Sequence, residues 1–323
     1  MRRILVALFA FAFLSVAGLV GFALMLNSKV GDIKTEDFGL TGAKGGNGVG
    51  EDGTGQDAEA TEKIVSGAGE NYLVIGSDAR AGETFSRSDV IILAHVTEKK
   101  DKVYLIHFPR DLYVDIPGRS KDKINAAFAY GGAPLLVRTL EGLVGVTVDH
   151  GAKIDFEGFK AMTDAVGGVR VWAEEASVSD GVPITKGWND LNGSQALTFV
   201  RERYQLSEGD ISRGRRQLAF VKALMIKALD PTTVLNPLKL NSLLNAVTEN
   251  AVVDESMTPK FMRSQILSMR NVRGGDIAFI TAPFSGYGTS PTGGAIDVVD
   301  EARMESLKIA LQNDDMATYL SGG

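Results

Sequence analysis

The sequence predicts an α/β (α+β) domain, an α-β-α sandwich on a mixed sheet, carried behind an N-terminal transmembrane helix. Three observations predict it. Residues Ile4 to Leu26 form an apolar run without a single charge. Three short apolar segments, Tyr72–Ile75, Val90–Ala94 and Val103–Phe108, each border a polar knot, as buried strands do. Helical patterns then follow at 134–142, 156–166, 211–230, 238–250, 258–270 and 299–313, with further strand candidates at 169–172 and 277–280.

Arg2 and Arg3 precede the apolar run, which at the helical rise covers roughly 34 Å, enough to span a bilayer. A cleavable signal peptide has an apolar core of only about 7–15 residues. The reading is a single-pass anchor at 4–26 in the cell membrane, with stub 1–3 in the cytoplasm and the rest of the chain outside. Residues 27–69 are rich in glycine and acidic residues and read as a flexible linker. The domain is expected over 70–315, with a frayed tail at 316–323 and a Gly/Ser/Pro/Thr loop at 285–294. No internal repeat is visible.

The chain has 323 residues, 44% hydrophobic, with net charge −6, so a full core is possible. It has no cysteine, which excludes disulfides, zinc-thiolate sites and cysteine nucleophiles. Its three histidines, His95, His107 and His150, are too scattered for a His-rich metal site. Any metal would take carboxylate oxygens, which points to magnesium, calcium or manganese.

Glu98–Asp101 is too short for a crossover helix, so its flanking strands should form an antiparallel hairpin. The knots are Gly76-Ser-Asp-Ala-Arg80, Arg87-Ser-Asp89 and Pro109-Arg-Asp111. If the first strand runs parallel to the third, Asp78, Arg80, Arg87, Asp89, Arg110 and Asp111 converge at one sheet edge. Ligands bind at such edges; the alternative is ordinary loop salt bridges. Lys123 and Asn125 sit near a helix start, placed to meet an anion, unless Asp122 simply caps that helix. Gly131-Gly132 should break it.

The window Arg201–Gln217 holds five arginines in an acidic chain. Guanidinium forks bind phosphate or carboxylate bidentately; the alternative is a solvated basic face. Thr198-Phe-Val200 favours extended backbone, on which Arg201 and Arg203 would share one face. Asp210 reads as an N-cap, and on the helix behind it Arg213 and Gln217 share a face. Arg215 points away and reads as a surface charge, and Arg216 is intermediate.

These pieces together resemble the LytR–CpsA–Psr family. The resemblance rests on Gly76-Ser-Asp-x-Arg80, Arg87-Ser-Asp89, Pro109-Arg-Asp111, Ile116-Pro-Gly118, Lys123-Ile-Asn125 and Tyr130-Gly-Gly132. It continues through Val166-Gly-Gly-Val169, Leu191-Asn-Gly, Arg201-x-Arg203 and Gly209-Asp-x-x-Arg-x-x-Arg-Gln217. His107-Phe108 departs from it, standing where the family more often has a serine and an aliphatic residue.

The resemblance implies transfer of a glycopolymer (wall teichoic acid, capsule or arabinogalactan) from a polyprenyl-diphosphate carrier to peptidoglycan, through a phosphodiester. It implies Mg²⁺ (or Mn²⁺) held by Asp78 and Asp89, with one of the two, Asp89 by preference, also taking the proton of the acceptor hydroxyl. Arg80, Arg87, Arg110, Arg201, Arg203 and Arg213 would clamp the diphosphate, with Lys123, Asn125 and Gln217 assisting. Phe128, Leu136 and Phe159 are candidates for lining the lipid tunnel. A non-catalytic polyprenyl-phosphate-binding module would share every binding residue. The acidic net charge and the external domain argue against nucleic acid as partner.

Overall fold

The computed structural model describes residues 33–40, 64–77, 88–207 and 209–322. The expected anchor at 4–26 and the knot residues Asp78, Arg80 and Arg87 lie outside them, and of Asp89 only the backbone is described. No helix among the described residues is long and apolar enough to cross a membrane.

Strands β1 (Lys34–Thr35), β2 (Glu70–Ser77), β3 (Ser88–Val96) and β4 (Val103–Phe108) come first. The short β5 (Leu112–Val114) and β6 (Asp122–Lys123) lead into helix α1 (Ile124–Val144). After β7 (His150–Ile154) and α2 (Phe156–Ala165) comes a long hairpin of β8 (Val169–Ala173), β9 (Ser177–Ser179), β10 (Val182–Ile184) and β11 (Gly187–Leu191). Helices α3 (Gly193–Arg201), α4 (Asp210–Ala228), α5 (Pro231–Val234) and α6 (Pro237–Asn250) precede β12 (Ala251–Val253) and α7 (Pro259–Ser268). The remainder is β13 (Ile277–Thr281), β14 (Phe284–Thr289), β15 (Ala295–Val299), α8 (Glu301–Gln312) and α9 (Met316–Leu320).

The central sheet has seven strands in the order β1-β12-β7-β2-β3-β4-β13, and it is mixed. Strand β3 is antiparallel to both β2 and β4, so β2 and β4 leave the sheet at the edge where β3 enters. Ile75, Ile91 and Phe108 form one row there. Just beyond, Gly76 pairs with Val90 but Ser77 with Ser88, which makes Asp89 the extra residue of a bulge.

Side-chain alternation sends the strands' apolar residues to two layers. Leu73, Ile75, Ile91, Leu93, Ile106 and Phe108 pack with Leu136 and Leu140 of α1 and Leu307 and Leu311 of α8. On the other face Ile92, Ala94, Val103 and Leu105 meet Val221, Met225 and Ile226 of α4. A third cluster joins α2, α3 and α4 to the inner face of β8. Each such fully buried Leu or Ile stabilises the fold by roughly 1.5–3 kcal/mol, which is why the six-residue β4 is buried throughout.

Several expectations are corrected. The linker is not flexible throughout: β1 pairs with β12, Val65 bridges Val146, and Phe38 is 1% exposed in the core. The expected strand at 169–172 is present as β8, and it pairs in the separate β8–β11 ribbon. Residues 284–289 are a strand paired antiparallel with β15, because backbone pairing overrides the loop-like composition. The tail is ordered by α9, whose Met316 is buried in the main core.

Candidate active site

At the exit of β4, Arg110 and Asp111 stand beside Lys123, which comes from β6 at the start of α1. Lys123 Nζ donates to Asp111 Oδ1 at 2.7 Å, and Arg110 Nε lies 3.5 Å from Asp111 Oδ2. One carboxylate is thus shared by two cations, each about 30% exposed along its side chain. Asn125 is buried, and its backbone N–H donates to the Arg110 carbonyl at 3.2 Å, tying this loop to the helix. Strand β15 adds Asp297, whose backbone N–H donates to the Asp111 carbonyl at 2.9 Å. Burial and the Asp111 charge push the Asp297 carboxyl above its ordinary pKa, and Lys123 opposes them.

Asp122 does not cap α1. It lies in β6, where its carboxylate accepts the Lys123 backbone N–H at 2.8 Å and the Tyr130 hydroxyl at 2.7 Å. The Arg119 guanidinium sits 4.4 Å from the Tyr130 ring. The helix does bend at the predicted glycines: Gly131 and Gly132 leave helical geometry, Gly132 with φ 62°.

The arginine window is built differently from the expected strand. Residues 198–200 are helical, because α3 starts with a capping box between Asn192 and Gln195 and buries Ala196, Phe199 and Val200. These i, i+3 and i+4 positions outweigh the β preference of the Thr-Phe-Val triplet. Arg201 is therefore the last residue of a helix and Arg203 lies in the loop beyond, separated by Glu202 in extended geometry. Glu202 is buried. Burial pushes its carboxyl up, but backbone N–H groups of Gln205, Tyr204 and Arg203 and the Ser179 side chain hold it below the ordinary carboxylate range. Arg203 donates to the Tyr204 hydroxyl at 2.6 Å, with Tyr204 85% exposed.

The cap of α4 is Gly209, not Asp210, and glycine offers no side chain to the first N–H groups. An anion is the natural partner for such an end. Arg213 and Gln217 share one face of α4 as predicted, and Gln217 Nε2 reaches the Val200 carbonyl at 3.5 Å.

Arg215 is a surface charge as expected, and its Nε pairs with the exposed Glu174 Oε2 at 2.9 Å. Sequence reasoning missed Arg216. It is 5% exposed, donates to Ser177 Oγ at 2.9 Å and the Glu175 carbonyl at 2.8 Å, and covers the Phe199 ring at 4.7 Å. The signal was its i, i+4 spacing to Ser212 and Phe220, which share the helix face that turns inward.

Met225 and Ile226 of α4 share a cluster with Val103 and Ile277, which begin β4 and β13. From Met225 back to Arg213 the helix rises about 18 Å, close to the roughly 17 Å that β4 needs to reach Phe108. If α4 runs back along β4 from that shared cluster, its N-terminal end reaches the level of the strand exits. His107 also lies here on β4, 8% exposed with Nδ1 unpartnered, and burial lowers its pKa to about 4. The suggested lipid-tunnel residues do not meet: Leu136 and Phe128 belong to the α1 layer, whereas Phe159 stacks on Phe220 at 4.0 Å in the cluster beyond α4.

The architecture is a mixed-sheet α-β-α domain in which Arg110 and Lys123 gather around Asp111 at the strand exits. The LytR_cpsA_psr family model matches residues 47–313, and the chain belongs to that family. A Corynebacterium glutamicum protein named probable cell wall biosynthesis protein LcpB is 32% identical over 78% of this chain and 63% of its own length. The polyisoprenyl-teichoic acid–peptidoglycan teichoic acid transferase TagU of Oceanobacillus iheyensis is 36% identical over 58% of this chain and 59% of its own. The chain thus spans about three-fifths of the length of these curated relatives. The crystal structure of B. subtilis TagV has the same fold, with TM-score 0.66 at 24% identity over 78% of this chain and 96% of that one.

Proposed function

We propose that the chain transfers a glycopolymer from a polyprenyl-diphosphate carrier to peptidoglycan outside the cell membrane, to which the 4–26 segment anchors it. The observation carrying this reading is the pairing of Arg110 and Lys123 about the one Asp111 carboxylate at the β4 exit, to which the reading adds the Arg213 end of α4. A diphosphate needs several cations at one spot, and its leaving phosphate gains charge during transfer. The names of LcpB and TagU support the reaction class.

In the step, an acceptor sugar hydroxyl attacks the phosphorus that bears the glycopolymer, forming the new P–O bond. The P–O bond to the polyprenyl monophosphate breaks, and the hydroxyl proton passes to Asp89. Arg110, Arg201, Arg203 and Arg213, with Arg80 and Arg87, hold the phosphates, and Lys123, Asn125 and Gln217 support them. The Mg²⁺ (or Mn²⁺) of this chemistry would neutralise charge on the diphosphate, held by Asp78 and Asp89. These are the hard oxygen donors such an ion prefers, and the backbone bulge at Asp89 lies on the right edge. Among the described residues no rival cluster of three carboxylate or histidine ligands exists.

The test is incubation of the protein with a polyprenyl-diphosphate glycopolymer, peptidoglycan and Mg²⁺. The expected products are polyprenyl monophosphate and wall-linked polymer, both lost with EDTA. Lipid that binds but stays intact would overturn the transferase reading and leave a non-catalytic carrier-binding module.

A further inference from the structure

The chain's two tryptophans, Trp172 and Trp188, are 48% and 57% exposed. They lie directly opposite each other on β8 and β11, and their rings meet edge to face at 5.4 Å and 78°. The next pair on the same face is Arg170 opposite Asp190, with the Arg170 guanidinium 5.4 Å from the Trp188 ring. The inner face is ordinary: Val169, Val171, Ala173 and Leu191 are buried. A soluble ribbon normally turns small polar residues outward, so two adjacent indoles in water mark a contact surface.

This face is continuous with the arginine window. Directly beyond Trp172 and Ala173, Glu174 holds Arg215 at 2.9 Å. Glu175 accepts the Ser207 N–H at 2.7 Å and the Ser212 hydroxyl at 2.8 Å. The ribbon is thereby fixed to the segment that carries Arg203 and Arg213.

We infer that the Trp172–Trp188 face is a docking platform for a glycan strand of acetamido sugars, the acceptor of the proposed transfer, on which reading the inference rests. The axial C–H groups of a pyranose ring form an apolar face that lies on an indole, and the edge-to-face pair makes a corner closing on two sides of one ring. Arg170 and Asp190 supply a donor and an acceptor for hydroxyl and acetamide groups. Arg170 also offsets the carboxylates that peptidoglycan strands carry.

Because the chain has no other tryptophan, its indole fluorescence reports this ribbon alone. Titration with the N-acetylglucosamine tetrasaccharide, and with a soluble uncrosslinked peptidoglycan strand, should give a saturable emission shift, tighter for the charged strand. Trp172→Ala and Trp188→Ala should each weaken binding at least about tenfold. Melting temperature should be unchanged, and the KM for acceptor should rise with little change in carrier binding. Arg213→Ala should keep the glycan response while losing transfer. Unmutated protein that gives the glycan response but transfers nothing would sink the transferase reading alone. An active protein whose emission ignores both sugars would overturn the platform. A shift produced by phosphatidylglycerol vesicles and not by sugars would overturn it too, in favour of membrane contact.

Discussion

The two ends of the central sheet use similar residue types in opposite ways. At the end where β2 and β4 begin, His95 is fully buried, with Nδ1 2.8 Å from Asn71 Oδ1 and Nε2 2.8 Å from Asp314 Oδ1. Asn71 in turn donates to the Thr147 carbonyl at 2.9 Å, and its backbone N–H donates to Asp149 at 2.8 Å. Nearby, His150 meets Ser256 Oγ at 2.8 Å, and Asp254 accepts from Gly151 and Ser256. At the exit end Arg110 and Lys123 share Asp111 and stay about one-third exposed. Arg201 is exposed and Arg213 half-buried. Groups that close the fold are deep and saturated, whereas the groups proposed to hold the diphosphate are shallower and share their partners. The same contrast recurs inside one helix turn, between Arg213 and Arg216.

The largest test of that contrast is at the shallow end. Arg203→Ala or Arg213→Ala should cut transfer by about 10²–10³-fold with an unchanged thermal melt, measured as wall-linked polymer formed. Wild-type turnover in both variants would break the site assignment. Arg216→Ala should do the reverse, lowering stability by about 3–4 kcal/mol in urea titration, because it strips donors from the Ser177 hydroxyl and the Glu175 carbonyl.

His107 sharpens the comparison, being buried yet at the exit end. Its folded pKa of about 4 lies below the ordinary 6.5, so the unfolded chain binds the extra proton first. Stability should fall as pH drops from about 6.5 to about 4, by about 3 kcal/mol, and level off below. His107→Leu should flatten that window while acid loss from the depressed carboxylates of Asp254 and Glu202 persists at lower pH. An unaltered pH profile would show that the imidazole is hydrated. The smallest effect is expected from Asp314→Asn, about 1–2 kcal/mol at neutral pH, since the amide keeps one hydrogen bond to His95 and loses the charge.

The sequence made β2, β3, β4 and the long helices legible because continuous apolar runs and helical spacing dominate there. It also placed the β3–β4 hairpin, and with it the convergence of Asp89, Arg110 and Asp111 on one edge. It hid β7 (His-Gly-Ala-Lys-Ile) and the three-residue β12, which are short or polar and exist only through their neighbours. The arginine window starts on a helix where the Thr-Phe-Val triplet favours a strand, because a capping box six residues or more before Arg201 decides it. Asp297 was invisible for another reason: nothing local links it to Asp111, and only the parallel β15–β5 pairing brings the two together.

Phe38 fills the space above Gly151, where even a methyl group would come within 2.2 Å of its ring, and β1 just before it runs parallel to β12. A pull on the chain ahead of Lys34 would therefore load the β1–β12 hydrogen bonds along their strands, in shear, with Phe38 as a wedge behind them. Shear breaks such bonds together, whereas peeling breaks them one at a time. Tension on the segment leading to the domain would thus be borne at the β12–β7 side of the sheet, away from the edge where β2 and β4 leave it.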